Sequence, residues 1–261
     1  MNRKTRRSPK HSIAYCLQPA VMLLAVLVGV VSAGHSATSD GLKIIVYGAS
    51  GRVGSRVVNE ALNRGHEVTA VSRDPARIKR QHDRLTAVKG DILEPEGIAG
   101  LVAGHDVIVV SVRGSVDGSK DPEKTVQRAA AGILVGVLRN MGEGSPRMIY
   151  VGGAGSLEIK PGVLYADGLP IFMPRSIRQE VQGHILTLEY LRTVADVRWT
   201  YISPAKKFGP GKRTGIYRIG GDRMLFDKKG KSKISMEDFA LALIDEAENA
   251  AHVGERFSVA Y

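Results

Sequence analysis

Cysteine is almost missing: the 261-residue chain has one, Cys16, and none beyond it. Disulfides, thiolate zinc sites and a cysteine nucleophile are thereby excluded from everything downstream. Aromatic residues make up only 5%, which leaves Val, Ile, Leu and Ala to build the core. His66, His82, His105, His184 and His252 are scattered without the spacing of a ligand set, so no metal is expected. His184 reads as part of a helix face. Internal repeats, low-complexity tracts and breaks in composition that would mark a second domain are absent as well. Acidic residues are missing from the first 37 positions, where Arg3, Lys4, Arg6, Arg7 and Lys10 stand unopposed. Without those five the balance is 32 basic against 26 acidic side chains, a surplus that suits anionic small molecules, lipid headgroups or nucleic acid.

The same N-terminal stretch has three parts. A basic segment, Met1 to Lys10, precedes the apolar run Ala20 to Val31, and small residues follow up to Ala37. This is the layout of a secretory signal peptide cut after Ala37, or of an uncleaved anchor interrupted by Gln18 and Pro19. The pair Arg6-Arg7 partly matches a twin-arginine export signal, although Ser8-Pro9 follows it where a bulky apolar residue is usual. Residues 1–37 are therefore expected to direct an exported, periplasmic location and to be the only membrane contact, with 38–261 as the folded domain.

From Lys43 onward, short β-branched runs alternate with stretches of helical periodicity. Strands are expected at 43–47, 67–72, 85–89, 106–111, 147–151 and 199–203, apolar enough to be buried on both faces of a parallel sheet. Helices are expected at 53–63 and 123–141, the latter with Val126, Ala129, Ala130, Ile133, Leu134, Val137, Leu138 and Met141 on one buried face. The alternation defines a doubly wound α/β Rossmann fold in a single domain. After residue 203, turn signals around Lys228-Lys229-Gly230 suggest a hairpin over 224–234, and Ser235 with Asp238 reads as a cap opening a helix to about Glu248. The C-terminus is thus expected to be a small hairpin and helix extension.

Gly48-Ala49-Ser50-Gly51-Arg52-Val53-Gly54 directly follows the first strand and opens a helix. Glycines there permit a tight turn and close approach of a pyrophosphate, whose charge meets the free N–H groups of the helix N-terminus. At the end of the second strand, where an acid would hold the ribose of NAD, stands Arg73. A guanidinium there pairs with a 2′-phosphate, which favours NADP, and Arg52 is a second candidate for that phosphate. Asp91 and Ile92 after the third strand, and Ser111 and Val112 after the fourth, fall at carboxyl ends where a dinucleotide lies. Asp91 is a candidate acceptor for the adenine amino group.

Together the GASGRVG loop, the segment Val151-Gly152-Gly153-Ala154-Gly155-Ser156-Leu157-Glu158, Ser203-Pro204-Ala205, and Arg213-Thr214-Gly215 with Tyr217-Arg218 resemble the bacterial NAD(P)H-flavin reductase-like family. These are atypical short-chain dehydrogenase/reductases related to NmrA-like proteins and biliverdin-IXβ reductase. The resemblance spans residues 42–261 and does not include the leader. It implies NADP(H) on the glycine loop, contacts from Gly152, Gly153, Pro204 and Ala205, and hydride transfer to a small flat acceptor such as FMN, another flavin or a quinone. The tyrosine followed four residues later by lysine, usual in short-chain dehydrogenases, is missing: Tyr150, Tyr165, Tyr190 and Tyr201 are followed at that spacing by Ala154, Leu169, Val194 and Ala205. Alcohol dehydrogenation and nucleotide-sugar epimerisation are disfavoured accordingly. Flavin reduction asks mainly for orientation. Ser156 is the candidate catalytic side chain, alternatively a turn cap, and Tyr165 and Phe172 are candidates to stack on the acceptor. The competing reading is a non-catalytic NADP(H) sensor of NmrA-like type. The basic stretch from Lys206 to Lys233 lacks the interleaved aromatics of nucleic-acid binders, so no specific nucleic acid is expected. A monomer or homodimer is expected.

Overall fold

The computed structural model describes residues 41–261, so the leader expected at 1–37, with Cys16, lies outside the described residues. The first half of the domain runs β1 (Lys43–Tyr47), α1 (Gly54–Asn63), β2 (Glu67–Ser72), β3 (Leu85–Lys89), α2 (Pro95–Val102), β4 (Val107–Val110), α3 (Val126–Met141) and β5 (Arg147–Val151). Two short strands, β6 (Glu158–Lys160) and β7 (Val163–Leu164), lead to α4 (Arg175–Arg192). The chain ends with β8 (Trp199–Pro204), β9 (Lys207–Gly209), β10 (Arg218–Gly220), β11 (Lys233–Ser235), α5 (Met236–Asn249) and β12 (Glu255–Ala260).

Eight strands form one sheet in the order β10-β12-β8-β5-β4-β1-β2-β3, parallel throughout except for β10 against β12. Strands buried on both faces need apolar residues at every position, not at alternate ones. Ile44, Ile45, Val46 and Tyr47 are all at most 1% exposed. Alternation along β1 then splits the core in two. Ile44 and Val46 pack with Val57, Ala61, Phe239 and Leu243 of α1 and α5, while Ile45 and Tyr47 pack with Ile98, Leu134 and Leu188 of α2, α3 and α4. The doubly wound single-domain expectation is what the chain adopts.

Three expectations need correction. The stretch 224–234 is not a hairpin. Asp227 and Lys231 close a tight turn, but β11 pairs in parallel with β9 instead of folding back on its own neighbour. Nor is the C-terminal region an extension, because β12 inserts beside β8 and β10 joins it, so both belong to the main sheet. In α3 the buried stripe is Gln127, Ala130, Ala131, Leu134, Val135 and Leu138, while Val126, Ile133, Val137 and Met141 only flank it. Residues 122–124 form a separate 3₁₀ turn before the helix. The cap at Ser235 forms as expected, its Oγ accepting from the Asp238 N–H at 3.0 Å.

Candidate functional site

The strand order reverses between β1 and β4, since later segments extend the sheet away from β2 and β3. Crevices at the carboxyl ends of such strands are where this architecture binds ligands. A cleft of about 290 Å³ lies there, and among its lining residues are Gly48, Ser50, Gly51, Arg73, Asp91, Ile92, Ser111 and Val112. Eight residues expected from separate loops thus converge on one cavity.

Its floor is the glycine loop, whose three glycines serve three purposes. Gly48 has φ of +78°, and a Cβ there would lie 2.2 Å from the Ser111 carbonyl oxygen. At Gly54 a Cβ would lie 2.2 Å from the Gly48 carbonyl oxygen, so this glycine lets α1 start tight against the strand. Gly51 lines the cleft, and its nearest obstacle is the Gly48 oxygen at 3.0 Å. The Gly51 N–H donates to the Gly48 carbonyl at 2.9 Å, closing the turn. Among the described residues no acceptor takes the Arg52 or Val53 N–H. These amides immediately precede α1, at the positive end of its dipole. The Arg52 side chain does not line the cleft, and its carbonyl accepts from the Arg56 guanidinium at 2.7 Å.

At the other end, the turn after β2 arranges the cations. Ser72 Oγ lies 2.9 Å from Ser50 Oγ and donates to the Asp74 carbonyl at 3.0 Å. Asp74 then caps the 3₁₀ turn Pro75–Arg77, its Oδ1 accepting from the Ala76 N–H at 3.2 Å. That turn brings a second arginine, Arg77, to the wall beside Arg73. Both are exposed, and among the described residues neither forms a salt bridge. Asp91 is held by an Asx turn, its Oδ1 accepting from the Leu93 N–H at 3.0 Å. Arg113 lines the cleft too, paired with Glu180 of α4 at 2.9 Å. Arg77 and Arg113 were not anticipated. The Asp74-Pro75 pair after β2, a cap followed by proline, is a sequence signal for the turn that went unread.

The remaining candidates do not join this cleft. A Cβ on Gly152 would lie 2.1 Å from the Tyr201 ring, and one on Gly153 would lie 3.2 Å from the His184 ring. A Cβ on Gly155 would meet Val181 at 2.5 Å. These glycines make room for neighbouring side chains. Ala205 is 2% exposed within the core, and Pro204, also buried, pairs with Val259 of β12. Ser156 Oγ is buried without a hydrogen-bond partner among the described residues, and it caps no turn. Tyr165 is half-buried under the Lys206 ammonium, 5.3 Å from the ring centroid. Phe172 stands 87% exposed, outside the cleft.

His184 lies on a helix as expected, on the face of α4 that packs against Gly153 after β5. The Tyr201 hydroxyl donates to its carbonyl at 2.9 Å. Burial, and then the charge of Arg113, push the imidazole down to about 4, so it is neutral at neutral pH.

A reversed strand order, a glycine cradle at a helix N-terminus and a cationic wall at the β2 end define a Rossmann-type dinucleotide-binding protein. The chain belongs to the NAD(P)H-binding family, whose sequence model matches residues 48–250. Three solved structures are similar over 84% of this chain. One is a Burkholderia pseudomallei protein provisionally named as exported, 38% identical, covered over its full length, with a TM-score of 0.70. Another is a Bacteroides thetaiotaomicron protein provisionally named an epimerase, 37% identical, 97% covered, TM-score 0.74. The third is a Streptococcus pneumoniae protein provisionally named an NADH-flavin reductase, 29% identical, 99% covered, TM-score 0.71.

Proposed function

We propose that the chain is an exported NADP(H)-dependent oxidoreductase that passes hydride to a flat flavin- or quinone-like acceptor. The observation that carries the choice of NADP is the wall formed by Arg73 and Arg77, with the Asp74 carboxylate accepting from the Ala76 N–H as the cap of their turn. Free guanidinium groups favour a 2′-phosphate, whereas a carboxylate aimed at the ribose would repel it. The cradle fits the dinucleotide: Gly51 lines the cleft, and the Arg52 and Val53 amides have no acceptor among the described residues. When bound, the nicotinamide supplies the hydride. NADPH, a proton and the oxidised acceptor then yield NADP and the dihydro acceptor. In this reading the loop amides hold the pyrophosphate, Arg73 and Arg77 hold the 2′-phosphate, and Asp91 orients the adenosine.

The Streptococcus relative's name supports a flavin as acceptor, and the Burkholderia relative's name, with the three-part leader, supports export. A sensor without turnover is the second reading. It is favoured by the buried, unpartnered Ser156 hydroxyl and by the glycines of the β5 loop accommodating Tyr201 and His184 instead of a ligand. NADPH oxidation followed by absorbance with FMN, riboflavin and a soluble quinone, with NADH in parallel, separates the two. Turnover specific for NADPH supports the reductase. Tight NADPH binding with no turnover replaces it with the sensor.

A further inference from the structure

The connection from β5 to α4 carries the two most exposed large apolar side chains among the described residues, Ile171 at 86% and Phe172 at 87%. They are adjacent in sequence and flank no core. Ile171 lines a shallow groove with Lys120, Pro122, Arg175, Arg178 and Gln179, and Ile177, on the first turns of α4, is itself 47% exposed. Among the described residues Lys120, Arg175 and Arg178 form no salt bridge. Of the neighbouring acids, Asp117 pairs with Lys124, Glu123 with Arg128 and Glu180 with Arg113, while Asp121, next to Lys120, accepts from the Glu123 N–H and joins no salt bridge among the described residues. Three cations against one unpaired carboxylate, Asp121, therefore lie beside a projecting apolar tip.

The tip is fixed in place by the chain's own groups. The Arg178 guanidinium donates to the carbonyls of Ile171 and Met173. Gln179 Nε2 donates to the Ser119 and Asp121 carbonyls at 2.8 and 3.1 Å, tying α4 to the loop that holds Lys120. A helix connecting two parallel strands runs against them, so the start of α4 lies at the carboxyl edge of the sheet, the edge that also bears the cofactor cleft.

We infer that this patch docks the domain on an anionic lipid surface, with Ile171 and Phe172 entering the interface and Lys120 and Arg175 facing the headgroups. Aromatic and aliphatic tips ringed by cations are the chemistry such surfaces retain, through apolar burial plus attraction to negative lipid. A small flat ligand would be enclosed between walls, whereas Ile171 borders only a shallow groove and both side chains are more than four-fifths exposed. The inference does not depend on the identity of the cofactor or of the acceptor. If the acceptor is a lipid-soluble quinone, docking would bring the carboxyl edge toward it.

The test uses the full chain with Phe172→Trp, whose indole reports its own surroundings; the native Trp199 is 2% exposed and serves as a constant background. Vesicles of phosphatidylcholine mixed with anionic phosphatidylglycerol are titrated in, and pure phosphatidylcholine vesicles are the control. The expected result is a blue shift and quenching by brominated acyl chains on the anionic vesicles only. Lys120→Ala with Arg175→Ala should weaken that response about 25-fold, at about fivefold for each charge removed. Attachment through the N-terminal segment alone would sediment the protein without shifting the indole, and that outcome overturns the proposal. An equal response on neutral vesicles, a shift produced by FMN without vesicles, or one that follows protein concentration alone would overturn it too. The last two would assign the patch to a small ligand or to a second copy of the chain.

Discussion

Replacing Arg73 and Arg77 by alanine tests the cofactor assignment at its most exposed point. Both side chains line the end of the cleft beside the capped turn, and among the described residues neither is paired with an acid. A hydrogen bond to a charged group contributes about 1.5–3 kcal/mol when protected and less in water. Taking the lower end for each exposed arginine gives about 3 kcal/mol for the pair, or about 150-fold in dissociation constant. NADH lacks the 2′-phosphate, so its affinity should change less than threefold. Neither side chain supports the core, and thermal unfolding should shift by only a degree or two. Calorimetric titration of both nucleotides into wild type and the double variant measures the ratio directly. Raising the ionic strength should weaken NADPH binding to wild type more than to the variant, because screening acts on the removed charges. Equal loss for NADH and NADPH would refute the reasoning and place the 2′-phosphate elsewhere.

Four further outcomes follow from the packing. Gly51→Val should abolish nucleotide binding while leaving the melting temperature within a few degrees, whereas Gly54→Val should lose several kcal/mol, because its Cβ would meet the Gly48 carbonyl at 2.2 Å; circular dichroism melts with nucleotide titration separate the two. His184 has its folded pKa pushed down to about 4, so between about pH 6.5 and 4 the unfolded chain binds the extra proton and stability falls as pH falls, by up to about 3 kcal/mol. The wild-type protein should lose this much more than His184→Gln in urea unfolding across that window, and parallel pH profiles would remove the assignment. Glu246→Ala should cost about 3–5 kcal/mol in urea unfolding by stranding the buried Arg147 guanidinium, now 3.1 Å from Glu246. Ser156→Ala removes a buried hydroxyl that has no partner and should leave stability unchanged or slightly higher; a turnover assay showing more than tenfold loss would restore its catalytic role.

What the sequence made legible is what short segments decide by themselves. Ile44 to Tyr47 needs no partner to announce a strand buried on both faces, and Gly48 to Gly54 announces a turn into a helix whatever surrounds it. Eight residues of the cleft were readable because each stands at a fixed offset from such a strand. Arg77 was not, since its place depends on Ser72 and Asp74 bending the chain after β2. β12 was hidden for a related reason. It carries Arg256, a charge that argues against a buried strand until Asp222, 34 residues away in sequence, accepts from it at 2.7 Å. In the segment 224–234 the tight turn at Asp227 was legible, but the choice of β9 as partner for β11 is a long-range pairing with no local mark.

The glycines of the β5 loop show the limit most clearly. A missing side chain signals only that something comes close, and room for a pyrophosphate reads the same as room for a neighbouring residue. At Gly51 the nearby space is the open cleft; at Gly152 it is the Tyr201 ring. Only the fold distinguishes them, because Tyr201 reaches Gly152 from β8, and that strand pairs with β5 along the register Tyr150 to Tyr201. The cleft at the glycine loop is thus built from local signals carried by that loop and the strand ends, whereas the loop after β5 is shaped by side chains arriving from α4 and β8. A motif can specify the first and leave the second to tertiary packing, and relatives sharing the fold bear names as different as epimerase and flavin reductase.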